Sequence, residues 1–175
     1  IWDWVDQALY NVDPKTGKKY WAYGGDFGMD NKPNDGMFCM NGIMRPDLSP
    51  KAQYFEVKKV YQNVGVKAVD MTQGRIEIFN KNYFEPLRGY QIVWSLWKDG
   101  ECIKHDGQLM GAKNIVGPRE RQEYTLDYDY SNLDPKSEYF VKIQFLQGKD
   151  MPWAKKGYVQ MEEQLRVKGA DVKAA

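Results

Sequence analysis

Two short stretches near the start of the chain carry the residue types a ligand pocket needs. The first is Ile1-Trp2-Asp3-Trp4-Val5-Asp6-Gln7. The second is Tyr23-Gly24-Gly25-Asp26-Phe27-Gly28, continued by Pro33-Asn34-Asp35-Gly36-Met37-Phe38-Cys39-Met40-Asn41-Gly42. Rings, short acids, amides and glycines crowd together with almost no helical or strand period. Such a composition builds a poor core and a good pocket wall, where rings stack on a ligand and amides or acids orient it. Trp2 offers a large apolar face and one N–H donor, although by residue type alone a buried tryptophan is the commoner outcome. Asp3, Asp6, Asp26 and Asp35 could do acid–base work; the plainer expectation is that they order the loop by accepting backbone N–H bonds. Asn41-Gly42 by itself reads as a turn. His105 is the lone histidine, with no cysteine or histidine partner in view, and reads as a surface turn residue beside Asp106-Gly107. No serine–histidine pair stands near the loop. Met29, Met37, Met40 and Met44 read as adaptable packing. Cys39 and Cys102 lie in different segments and read as free thiols.

The elements that must hold these residues follow from period and punctuation. Residues 1–5 read as a short strand, with Trp2 and Trp4 on one face and Asp3 and Val5 on the other. Asp13-Pro14-Lys15-Thr16-Gly17-Lys18 is a polar turn, and residues 23–47 read as an irregular loop. Ser49 as N-cap and Pro50 at the first helical position open a helix. Its apolar stripe is Tyr54, Val57, Tyr61 and Val64, and Lys51, Lys58, Lys59 and Gln62 form its wet side. After Gly65 the period falls to two. Arg75–Phe79, Tyr90–Leu96, Tyr124–Tyr128, Tyr139–Phe145 and Tyr158–Leu165 alternate, with breakers at Lys98-Asp99-Gly100, Asp106-Gly107, Gly117-Pro118 and Leu133-Asp134-Pro135. Roughly seven short strands at this spacing predict an immunoglobulin-like sandwich, without the Cys-Trp-Cys spacing of antibody domains. Of Trp94 and Trp97, on opposite faces of one strand, one is expected in the core.

The two N-terminal stretches closely resemble the end of the catalytic barrel in the large multidomain β-galactosidases of glycoside hydrolase family 2. In that family an aliphatic-Trp-Asp-Trp-Val-Asp-Gln run is the eighth barrel strand. Tyr-Gly-Gly-Asp-Phe-Gly, Pro-Asn-Asp and Phe-Cys-Met-Asn-Gly form the loop after it. Several matched words in order are far more specific than one short motif. The resemblance is strong over residues 1–63, and Ile76–Phe84 resembles the opening of the sandwich that comes after the family's barrel. It implies a mainly β fold: an immunoglobulin-like sandwich over residues 65–168, preceded by the last strand, loop and last helix of a (β/α)8 barrel over residues 1–64, with a tail at 169–175.

The resemblance also implies roles. Trp2 matches the tryptophan at the floor of the galactose subsite, and Asn41 joins it as a substrate-binding residue. The Phe38 carbonyl and the Asn41 side chain match two ligands of the family's active-site sodium; the remaining aspartate ligand lies upstream, as would any magnesium site. Asp35 matches a structural aspartate. Met29-Asp30-Asn31-Lys32 is longer than the family's spacer. The family hydrolyses terminal β-D-galactosides with retention, using two glutamates on earlier strands, roughly 5 Å apart. Residues 1–48 hold no glutamate, so no catalytic residue carries over. The expectation is therefore a piece of a longer enzyme, inactive alone and without a cofactor of its own. Its partners would be a β-galactoside and the remaining domains of the parent chain, with homo-oligomerisation left open.

Composition bounds the alternatives. The chain has 175 residues and a formal net charge of +1, which gives no electrostatic case for nucleic acid or an acidic membrane. Six tryptophans and twelve tyrosines suit stacking on flat ligands. Two rival readings stay open on sequence: a free-standing carbohydrate-binding or adhesion sandwich, and a small hydrolase using its own aspartates.

Overall fold

The computed structural model describes residues 1–28, 33, 34, 36, 40–109 and 116–168, without the side chains of Asp106 and Lys168. Asp35, Phe38, Cys39, Met29, Met37, the 29–32 spacer and the tail from 169 lie outside the described residues. The chain divides into two compact units, residues 1–61 and 62–175.

In the first unit the polar turn closes a hairpin. The Asp13 carboxylate accepts from the Lys15 amide at 2.9 Å and the Thr16 hydroxyl at 2.6 Å, and Gly17 adopts φ +68°. These contacts reverse the chain between β1 (Leu9–Val12) and β2 (Lys19–Ala22), which pair antiparallel. Tyr10 faces Trp21 across the ladder, and their rings stack at 3.8 Å. The expected strand at residues 1–5 is reduced to one parallel bridge, Val5 with Met44. A strand lasts only as far as neighbours satisfy its backbone, and Val5 finds that neighbour in the returning loop.

The helix starts later than its sequence signals suggest. Pro50 bridges Met44 antiparallel, the Arg45 amide donates to the Ser49 carbonyl at 2.9 Å, and the Lys51 amide donates to the Ile43 carbonyl at 3.3 Å. That pairing holds residues 49–51 extended, so α1 (Ala52–Val60) has Lys51, not Ser49, as its N-cap. Tyr54 and Val57 are half-buried on it, Tyr61 is exposed just beyond it, and Val64 already belongs to the next strand.

The described residues of the second unit contain seven strands: β3 (Val64–Asp70), β4 (Arg75–Asn80), β5 (Tyr90–Lys98), β6 (Glu101–Gln108), β7 (Arg121–Thr125), β8 (Tyr139–Gln147) and β9 (Val159–Lys168). They form a three-stranded sheet, β3-β4-β7, and a four-stranded sheet, β6-β5-β8-β9. All described pairings are antiparallel. Alternation fills one core from both sheets: Val64, Val66, Ile76, Ile78 and Tyr124 from the first, and Ile92, Trp94, Leu96, Val141, Ile143, Phe145 and Met161 from the second. Three strands against four, with the chain passing between sheets after β4, β6 and β7, is the immunoglobulin-like arrangement. Tyr139 opens β8, and its hydroxyl accepts from the Asp134 amide at 3.2 Å, the tyrosine corner of such sandwiches.

Several local features differ from the sequence reading. Asp106-Gly107 is not a breaker but the end of β6. Gly107 lies flat under Trp94, where a Cβ would sit 2.1 Å from the indole Nε1. His105 is therefore a strand residue, exposed, with Nδ1 at 3.1 Å from the Cys102 Sγ. Tyr128 lies past the end of β7, and its hydroxyl donates to the Met71 carbonyl. Trp94 is in the core and Trp97 half-buried, its Nε1 donating to the Ser95 hydroxyl at 2.8 Å. The central pair β5–β8 keeps continuous register from Tyr90 opposite Gln147 to Lys98 opposite Tyr139. Steps in register occur in the β3–β4, β5–β6 and β8–β9 pairs.

Candidate functional site

Residues 40–44 return alongside residues 4–6. The Trp4 carbonyl accepts from the Ile43 and Met44 amides at 3.0 and 2.8 Å, and the Asp6 amide donates to the Met44 carbonyl at 2.9 Å. The approach demands glycine at one point: a Cβ on Gly42 would lie 2.5 Å from the Val5 carbonyl carbon and the Asp6 nitrogen. Asn41 is thereby brought to Asp3, and its Nδ2 donates to the Asp3 Oδ2. Asp3 Oδ1 also accepts from Gln7 at 3.4 Å. Trp2, next to Asp3 in the chain, leaves 97% of its surface exposed, whereas Trp4 packs edge-on against Tyr54 with ring centres 6.4 Å apart.

Upstream in the loop, Tyr23–Gly28 forms a short 3-10 turn in which the Asp26 carboxylate accepts from the Tyr23 amide at 3.1 Å. Asn34 Oδ1 accepts from the Gly36 amide at 2.8 Å, and the Gly36 carbonyl accepts from the Gly25 amide at 3.2 Å. Asp6 and Asp26 thus order backbone. Neither lies in a pair of carboxylates aimed at a common point among the described contacts.

The residue that sequence reasoning misplaced is Lys51. Assigned to the wet side of the helix, it instead turns inward, with its side chain only 18% exposed. Its Nζ donates to the Asp6 Oδ1 at 2.7 Å, the Met40 carbonyl at 2.9 Å and the Gly42 carbonyl at 2.9 Å. The Asp6 side chain is fully buried, and its Oδ1 also accepts from the Gly42 amide at 2.8 Å. A buried aspartate calls for a cation, but nothing in the spacing from position 6 to position 51 says which lysine answers.

Of the two residues expected to hold a monovalent cation, the structure describes Asn41. Because Asn41 Nδ2 is committed to Asp3, the amide oxygen Oδ1 is left as its oxygen donor, the donor type a hard cation takes. Phe38 lies outside the described residues. In the second unit, Cys102 and His105 make a two-residue contact; among the described residues no group of three or more His, Cys, Asp or Glu is placed to hold a metal. Also among the described residues, no helix is long and apolar enough to cross a membrane.

Comparison with known proteins matches both units. Residues 1–66 match the family described as glycosyl hydrolases family 2, TIM barrel domain, which agrees with the reading of the first unit as the end of a barrel. The β-galactosidase of Priestia megaterium is 39% identical over 165 residues, covering 94% of this chain and 15% of that protein. The β-galactosidase of Psychromonas ingrahamii is 36% identical with the same coverage, and that of Yersinia pestis is 32% identical over 154 residues. The chain thus spans about 15% of the length of the curated relatives it matches. Residues 76–168, more than half of the chain, match the family described as beta-galactosidase, domain 4, and the chain belongs to that family.

Proposed function

We propose that this chain works as part of a retaining β-galactosidase, supplying one wall of the galactose subsite and a sandwich that links the barrel to further domains. The observation that carries this reading is the bare indole of Trp2, 97% exposed, beside the Asp3–Asn41 contact. An indole offers a broad apolar face and one N–H donor, which suits stacking on the apolar face of a sugar. Asn41, with its amide nitrogen anchored on Asp3, would present its oxygen to the sugar or to sodium, with the Phe38 carbonyl as second donor. The domain limits proposed are 1–64 for the barrel piece and 65–168 for the sandwich. The relatives' own length supports the need for further domains, which would bring the two catalytic glutamates, the remaining sodium ligand and any magnesium site.

Two measurements test this. In the full-length enzyme, Trp2→Ala should cost about 2–4 kcal/mol of transition-state stabilisation on a β-galactoside, the range of an aromatic truncation. Unchanged kcat/KM would remove Trp2 from the site. The 175-residue chain alone should neither turn over a chromogenic galactoside nor bind galactose below millimolar, because a site needs sub-ångström support from its other walls. Turnover by the chain alone would instead favour a small hydrolase using its own aspartates.

A further inference from the structure

Lys51 straddles Asn41. Its ammonium group takes the carbonyls immediately before and after that residue, those of Met40 and Gly42, each at 2.9 Å, and places its remaining proton on Asp6 Oδ1 at 2.7 Å. All the N–H donors of the ammonium are used. Asp6 in turn grips the same loop a second time, through the Gly42 amide at 2.8 Å. Met40 is held at φ +63°, a left-handed conformation that a non-glycine residue keeps only when its surroundings impose it. The peptide groups on both sides of Asn41 are therefore fixed from one point, and the Asn41 side chain has one rigid base from which to reach Asp3. None of this is a helix-surface arrangement: the Asp6 side chain is fully buried, and among the described residues its Oδ2 has no partner and Lys51 is its one cation.

We propose that Asp6 and Lys51 form a clamp that sets the position of Asn41, making Lys51 a positioning residue of the sugar subsite. The proposal rests on the reading of Asn41 as a site residue, and goes beyond it by assigning what holds that residue in place. The clamp substitutes an internal ammonium for what would otherwise be a mobile loop crest. Its action on substrate runs entirely through Asn41 and not through any contact of its own.

The test is a double-mutant cycle in the full-length enzyme, with kcat and KM on a chromogenic β-galactoside and the inhibition constant of galactose measured for Asn41→Ala, Lys51→Met and the pair. Lys51→Met should lower kcat/KM by roughly 10–100-fold, the usual loss when the support of a binding residue is removed. It should split between kcat and KM as Asn41→Ala does. The pair should fall no further than the worse single variant, because both remove the same placement. A merely structural lysine would lower the melting temperature but give losses that add. Should Lys51→Met not fold, Asp6→Asn replaces it: the amide oxygen keeps the Gly42 contact but weakens the hold on the ammonium, and its smaller loss should again be non-additive with Asn41→Ala. Additive losses, or a folded Lys51 or Asp6 variant at full activity while Asn41→Ala is impaired, overturn the clamp. An Asn41→Ala enzyme at full activity overturns the site reading itself, and the clamp with it.

Discussion

Gly107 shows how much one missing methyl group decides. The Trp94 ring, 3% exposed, lies across it, and the nearest indole atom would be 2.1 Å from a Cβ. The ring is enclosed by the core and cannot swing clear. Gly107→Ala should therefore force β6 away from β5 and cost about 1–3 kcal/mol, the usual range for overpacking. Chemical denaturation followed by tryptophan fluorescence would measure it, and a loss under about half a kcal/mol would mean the ring moves freely. The same position shows what single residues conceal. A glycine after an aspartate looks like a turn because turn chemistry is local, whereas this glycine exists for a ring on the neighbouring strand. Lys51 is misleading in the same way. On a helical wheel it is one more exposed lysine, and only the returning loop reveals the buried carboxylate it answers. Trp2 and Asn41, by contrast, were singled out from uninterrupted words rather than from periodic patterns, and their place in a sugar site is the proposal made above, whereas the Asp3–Asn41 contact was not foreseen.

Connections between strands are held by polar side chains that face inward. Asn80 ends β4 with no exposed surface; its Nδ2 donates to the Glu85 carbonyl at 2.8 Å and the Val116 carbonyl at 3.1 Å, and its Oδ1 accepts from the Asn82 amide at 3.0 Å. Asn80→Ala would strand buried carbonyls, so a loss of about 1–3 kcal/mol is expected, visible as a lower denaturation midpoint with unchanged slope. Beyond β7, Tyr128 ties its hydroxyl to the Met71 carbonyl. Burial first, then the nearby Tyr130 and Asp70, push its pKa up to about 12. An unfolded tyrosine titrates near 10, so the folded state holds this proton more tightly. Stability from Tyr128 is then fully present below pH ~10 and lost as the pH rises from there through about 12. Melting temperatures across that window should fall less steeply for Tyr128→Phe than for the parent sequence; parallel curves would refute the assignment. At this scale the strands with clean alternation were legible, β4, β5 and β8 above all. The hairpin β1–β2 was not, although apolar and aromatic residues on each side of a turn carrying Pro14 and Gly17 are its signal. The helix start was misleading because Ser49-Pro50 imitates a cap while its backbone is bound to Met44 and Arg45.

The chain as a whole is two compact units of unequal completeness. Residues 62–168 have both sheets and a shared core, and should unfold as one cooperative transition. Residues 1–61 bury little: α1 contains no buried residue, and among large apolar side chains Trp2, Leu9, Tyr10 and Phe55 stay exposed. Thermal unfolding of the intact chain should therefore show the sandwich persisting to higher temperature than the Tyr10–Trp21 hairpin. Hydrogen exchange resolved by segment would show slow protection in β5 and β8 and fast exchange through residues 1–28. Uniform protection across both would contradict it. The sandwich was legible because its period, its turns and its strand count agree with one another. The first unit was legible only through its likeness to a larger architecture, since its own residues do not close a core.

The register steps in the sandwich have a consequence for crowding. A sheet left open at its rims is a template on which further chains can add, and a long straight rim strand invites stacking into fibrils. Here the steps fall in the pairs that hold β3, β6 and β9, each the outermost strand of its sheet, while the central β5–β8 pair runs unbroken. The remaining rim, β7, is five residues long and carries Arg121 and Glu123. Bulges twist a rim out of line and charges make it poor company for a copy of itself. Stepped and charged rims of this kind oppose self-association, and straightening β6 by deleting one bulge residue should raise the chain's tendency to self-associate, as light scattering would show.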